Sequence, residues 1–171
     1  MAQKVKADKY SNVAFAKVTM SAVNTLTFEA INMAVGVFQG VAMLIHRILY
    51  YPTDVSLREV VAATDTFSLA LTTSNRLANI VDVSEPAIID KLHVVGVGVN
   101  VEAVRLPLVS DLTMLPGGGR IVPANPLFVA MATAGAVAAS KAFVQVDFTF
   151  IELTDQDYLE LIQSQLPANI G

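Results

Sequence analysis

The segment AFVQVDFTFIEL, residues 142–153, sets Val144, Val146, Phe148 and Phe150 in alternation with Gln145, Asp147 and Thr149. A side-chain period of two is what a β-strand shows when one face is buried and the other wet. The same period recurs in TLTFEA, where Leu26, Phe28 and Ala30 share a face opposite Thr25, Thr27 and Glu29. It recurs again in DTFSLALTTS, where Phe67, Leu69 and Leu71 oppose Thr66, Ser68 and Thr72. Both faces are partly apolar in VAFAKVTM (13–20), AMLIHRILYYP (42–52) and KLHVVGVGVNV (91–101). PLFVAMATA (126–134) and a weaker run from Pro107 to Leu115 bring the expected total to about eight strands, at spacings that suit a sandwich or barrel.

Helical pattern is sparse. LTDQDYLELIQSQ, from residue 153, offers Thr154 as N-cap to the Asp157 amide, with Asp155 and Asp157 at the positive end of the helix. Tyr158, Leu161, Ile162 and Gln165 then share a face, and Pro167 closes the segment. A second, short helix is expected over Ser84–Asp90, with Ser84 as cap and Pro86 in the first turn. No repeat or charge block divides the 171 residues, so one domain over residues 11–171 is expected behind a flexible arm, residues 1–10, that carries Lys4, Lys6 and Lys9. That start shows no apolar segment of signal-peptide form. The uncharged run Ile31–Ile45 is shorter than the roughly 20 residues of a spanning helix, and reads instead as strands around a turn.

The chemistry is thin. With no cysteine, disulfides, thiol catalysis and thiolate metal sites are excluded. LPGGGRIVP, residues 115–123, lacks the Lys-Ser/Thr and following helix of a phosphate-binding loop, so its glycines read as a wide, exposed connection between strands, with Arg120 placed to hold a carboxylate. His46 and His93 are the two groups with an imidazole; His93 alternates with Val95, Val97 and Val99, which predicts a core or interface histidine, and His46 is read as structural in the same way. Asp147 and Glu152 have opposite parity on one strand and face apart. Asp155, Asp157 and Glu160 read as a solvated helix start. No G-x-S-x-G is present, and no histidine cluster of metal-binding form. The residues therefore predict no catalytic group, no metal and no cofactor. A net charge of -4 argues against a dedicated nucleic-acid binder.

What remains is an excess of apolar residues. At 54% hydrophobic and 15% charged, against about 25% charged in an ordinary soluble domain, the chain has more apolar surface than one core readily absorbs. Either the core is large for the chain length, or other copies, another protein or lipid cover much of the outside.

Four segments carry a resemblance: LIHRILYYP (44–52), SLALTTS followed by IVDVSEPAIIDKL (68–92), GGGRIVPANPLFVA (117–130), and FTFIELTDQDYLELIQSQ (148–165). In these the chain resembles single jelly-roll capsid proteins of icosahedral viruses, and in detail the capsid-like proteins of small bacterial and archaeal viruses. The resemblance implies an all-β fold, a single eight-stranded jelly-roll β-sandwich or barrel with a short C-terminal helix. It implies a structural role in the virion: copies of the chain packing as pentamers and hexamers, or trimers, of a shell, with or without a second capsid protein. Tyr158, Leu161, Ile162 and Arg120 become candidate subunit-interface residues. Lys4, Lys6 and Lys9 become a candidate arm for weak, non-specific nucleic-acid or inner-membrane contact. Three rivals stand beside this reading. A non-catalytic jelly-roll module for glycan or receptor binding would usually show exposed aromatics, yet the chain has no tryptophan and its four tyrosines are dispersed. An enzyme on an all-β barrel would need a convergent polar site. A tube- or compartment-forming protein of another β fold predicts assembly without a closed shell.

Overall fold

A computed structural model describes residues 11–31, 33, 41–52, 62, 64–82, 84–96, 107–124 and 126–166. Nine strands and one helix occupy them: β1 (Asn12–Thr19), β2 (Leu26–Ala30), β3 (Val41–Pro52), β4 (Thr66–Thr72), β5 (Ile88–Val95), β6 (Leu108–Asp111), β7 (Arg120–Pro123), β8 (Phe128–Ala134), β9 (Lys141–Glu152) and α1 (Asp155–Ser164). The arm expected at residues 1–10, with Lys4, Lys6 and Lys9, lies outside the described residues, as does the 97–101 end of the His93 segment. Among the described residues no helix is long and apolar enough to cross a membrane.

The strands form two antiparallel sheets, β1-β9-β3-β6 with β7 also on β3, and β2-β8-β4-β5. The pairs β1·β9, β2·β8, β3 with β6 and β7, and β4·β5 are nested along the chain. The chain is thus one long hairpin turning between β4 and β5. It is rolled so that β9 also pairs with β3 and β8 with β4. That is a jelly roll. The alternation read from the sequence becomes the core: Ile45, Ile48, Val144, Val146 and Phe148 from the first sheet meet Phe67, Leu69, Leu71, Val129 and Met131 from the second. Burying each such side chain contributes about 1.5–3 kcal/mol. This outweighs the Arg47–Asp147 ion pair at 2.9 Å, whose arginine is half-exposed.

Three expectations need correction. Ser84–Ala87 is a turn and Ile88–Asp90 begins β5, so no helix forms there. Glu85 Oε1 accepts from the Ala87 amide and the Ile88 amide donates back to the Glu85 carbonyl, closing a turn that Pro86 presets. The face of β4 opposite the core is dry as well. Ala70 and Thr72 are buried there because Leu77, Ile80, Ala87 and Ile88 fold back over Ala70 and Ala130 as a second apolar cluster. Leu26 and Phe28 pack on this second cluster, while Thr27, paired with the core residue Met131, turns inward. Its Oγ1 is buried without a hydrogen-bond partner. The apolar face of TLTFEA therefore looks outward, toward the β4–β5 segment.

Candidate functional site

The glycine run is an insertion within a sheet edge. β6 pairs with Arg47–Tyr50 and β7 with Ala42–Ile45, so both halves run along the same side of β3. His46 sits at the irregularity in β3 between them and holds both ends of the insertion. Its carbonyl accepts from the Leu112 amide at 2.8 Å. Its ring Nδ1 lies 3.0 Å from the Gly118 carbonyl. A carbonyl only accepts, so Nδ1 carries the proton; Nε2 faces Thr149 Oγ1 at 3.2 Å. Both ring nitrogens are engaged, the structural role the sequence predicts for His46. Gly117 and Gly118 take positive φ, and a Cβ on Gly119 would land on the Ile45 carbonyl oxygen.

Arg120, expected to hold a carboxylate, turns between the sheets. Opposite the core residue Ile45, its guanidinium donates to the Ile89 carbonyl of β5. Partial burial lowers its pKa, and the charge of nearby Asp90 opposes that shift. From the first sheet, the buried Tyr50 hydroxyl donates to Asp90 Oδ2 at 2.8 Å. Desolvation raises the Tyr50 pKa well above its ordinary value, and the Asp90 charge and hydrogen bond add to the rise. Tyr50, Asp90 and Arg120 thus form a polar clasp across one edge of the sandwich.

His93 is on the outer face of β5. Its strand neighbours Leu92 and Val94 pack on the core, while His93 and Val95 are exposed, so of the expected core or interface placement the core one is wrong by one register step. His93 Nδ1 lies 2.8 Å from the buried Ser68 Oγ, its partner on β4. The row that holds them runs Leu26, Ala132, Ser68, His93, so it supplies no carboxylate to orient the ring. Asp147 is buried on the outer face of the first sheet, bonded by Arg47 and by Gln145 Nε2 at 2.8 Å, and Glu152 is exposed at the strand end. Among the described residues no group of three or more His, Asp or Glu side chains could hold a metal ion.

The outer faces of the two sheets differ. The second is covered over Ala70 and Ala130 by Leu77, Ile80, Ala87 and Ile88, while His93 and Val95 stay exposed. The first is bare. Its central row runs Phe15, Gln145, Leu49, Val109 across β1, β9, β3 and β6; Val13, Asp147, Arg47 and Asp111 form the row on one side, and Lys17, Phe143 and Tyr51 the row on the other. Phe15 is 71% exposed, Val109 55% and Val13 51%.

No protein-family model matches the chain, and no curated protein matches it. Among solved structures it is similar to a chain from Desmodium yellow mottle tymovirus, at 14% identity, covering 90% of this chain and 95% of that one, with a TM-score of 0.34. So loose a likeness adds nothing to the fold, which rests on the strand pairing.

Further apolar groups stand away from this sheet face. Met114, at the tip of the β6–β7 insertion, is 89% exposed, and Leu115 follows it. Val137, in the alanine-rich β8–β9 loop, is 84% exposed near Val23 of the β1–β2 loop. Asn24 staples those two loops: its Oδ1 accepts from the Ala136 amide at 2.9 Å and its Nδ2 donates to the Ala136 carbonyl at 3.1 Å. α1 forms as expected, with Thr154 Oγ1 accepting from the Asp157 amide at 3.2 Å. Gln165 ties its end to the fold through the Ile121 carbonyl, and Thr73 Oγ1 donates to the Gln165 carbonyl. Tyr158, Leu161 and Ile162 are half-buried, while Leu159 and Leu166 are exposed. The structure brings α1 to β7 but not to the Arg120 side chain, which points inward. The bare face was missed as a site, although one signal was present: VAFAKVTM has apolar residues at both parities.

Proposed function

We propose that the chain is the structural subunit of an icosahedral virus shell, located in the virion and assembling with copies of itself, with or without a second capsid protein. The observation that carries this reading is the group of exposed apolar side chains on the outer face of the first sheet, Val13, Phe15, Val109 and Phe143, which no described residue covers. A soluble monomer rarely leaves so many large apolar side chains on one sheet face. The exposed groups at Met114, at Val137 and along α1 lie elsewhere on the subunit. One self-complementary patch stops at a dimer, whereas several distinct patches let a subunit contact several neighbours, as a closed shell requires. The low charge of the chain agrees with this, since covered surface need not be soluble. Tyr158, Leu161 and Ile162 are proposed to contribute through α1. Lys4, Lys6 and Lys9 are proposed to give weak, non-specific contact with nucleic acid or an inner membrane. Fold alone does not assign the role. Light scattering after size exclusion, with negative-stain images of the early fractions, tests it: uniform shells or discrete capsomers are expected. A monomer at every salt concentration and pH, even with a coexpressed second coat protein, would contradict it.

A further inference from the structure

Each sheet has two edge strands, and an edge presents unpaired backbone groups to any strand that reaches it. Three of the four carry protection. The β6/β7 edge is broken by the inserted loop from Leu112 to Gly119. β5 has Asp90 and Lys91 within it, and its register shifts against β4. β2 is five residues long and bears the exposed Glu29. β1 differs. Its eight residues keep unbroken register with β9, contain neither proline nor glycine, and hold one charge, Lys17. Among the described residues β1 pairs only with β9. It also carries Val13 and Phe15, the exposed apolar end of the bare face.

We infer that β1 pairs antiparallel with β1 of a second copy, about a two-fold axis normal to the sheet and centred on Phe15. The two first sheets then become one continuous sheet across two subunits. The occupant is a second copy because β1 is complementary to itself. A slip of one residue would set an outward side chain against an inward one, so only registers of one parity are allowed. Among these, the Phe15-centred register sets the most exposed aromatic of the strand against itself and pairs Val13 with Lys17. Lys17 of each copy then lies over Val13 of the other. A register centred on Ala16 would instead place Lys17 on Phe15. The inference rests on the shell reading only in taking copies of the chain as partners.

The native chain has no cysteine, which makes the register directly testable. Cross-strand neighbours lie about 4.5–5.5 Å apart at Cα, within the range of a disulfide. Under mild oxidation, Phe15→Cys is expected to give covalent dimers about tenfold faster than Val109→Cys, an exposed control on the opposite edge. Val13→Cys and Lys17→Cys are each expected to form no disulfide between copies alone and to cross-link when co-assembled. Phe15 and Val109 are largely exposed, so neither substitution removes a core contact. Equal rates for the two homotypic variants, or cross-links in Val13→Cys alone, would overturn the inference. Oxidised Phe15→Cys shells that hold no disulfide between copies would also overturn it while leaving the shell reading intact. Bonded pairs that never grow beyond two copies would support the pairing and count against the shell.

Discussion

His46, Gly119 and Tyr50 show how single residues fix the edges of this sandwich. Gly119 passes so close to β3 that a methyl group would overlap the Ile45 carbonyl, a backbone atom that cannot swing aside. Gly119→Ala is therefore expected to cost about 1–3 kcal/mol, read as a lower urea midpoint; an unchanged midpoint would show that the insertion is not held as described. Tyr50 makes a different contribution. Its hydroxyl joins the two sheets through Asp90, and Tyr50→Phe should cost about 1–3 kcal/mol at neutral pH. The pH dependence has a definite sign. The folded pKa lies above the ordinary value of 10.0, so the unfolded chain releases this proton first. The stabilisation is complete below pH 10 and is lost as pH rises through the folded value. Denaturation midpoints of the native chain should thus fall more steeply above pH 10 than those of Tyr50→Phe. Parallel curves would place the phenol in water.

At the scale of elements, the β4–β5 segment is a working layer of the fold. Ile80 is buried over Ala70 and Ala130. Ile80→Ala should cost about 2–5 kcal/mol, seen as a drop in melting temperature, whereas an ordinary surface loop would register within about 0.5 kcal/mol. The same layer explains where the sequence could be read and where it could not. β9 and the core-facing side of β4 follow from period two alone, because one sheet face packs on the other sheet. α1 follows from Thr154 and the acids after it, a local signal needing no tertiary partner. Ser68, Ala70 and Thr72 look like a wet face until a segment without strand pattern covers them, and Leu26 and Phe28 look core-facing for the same reason. Pro86 reads equally well as a helix start or a turn, and the Glu85–Ala87 bond decides for the turn. β7 has four residues, too few to show a period. The bare face of the first sheet was partly legible, since Val13 and Phe15 break the alternation of β1, but only sheet order places Val109 and Phe143 beside them.

For the whole molecule, the rolled hairpin accounts for stability with one core and a second sheet covered over Ala70 and Ala130, and leaves apolar surface on the first sheet, two loop tips and α1. β1 begins at Asn12, so the proposed arm, residues 1–10, precedes every described strand. In the proposed shell, other copies cover the exposed Val13, Phe15 and Val109 of the first sheet. Sedimentation velocity on the native chain and on a Val13→Ser, Phe15→Gln, Val109→Ser variant tests it most directly. All three side chains are more than half exposed, so the variant should fold and melt like the native chain. The native chain should sediment as large, uniform assemblies and the variant as single chains or small oligomers. Identical sedimentation of the two, whether as monomers or as shells, would show that these side chains do not hold copies together.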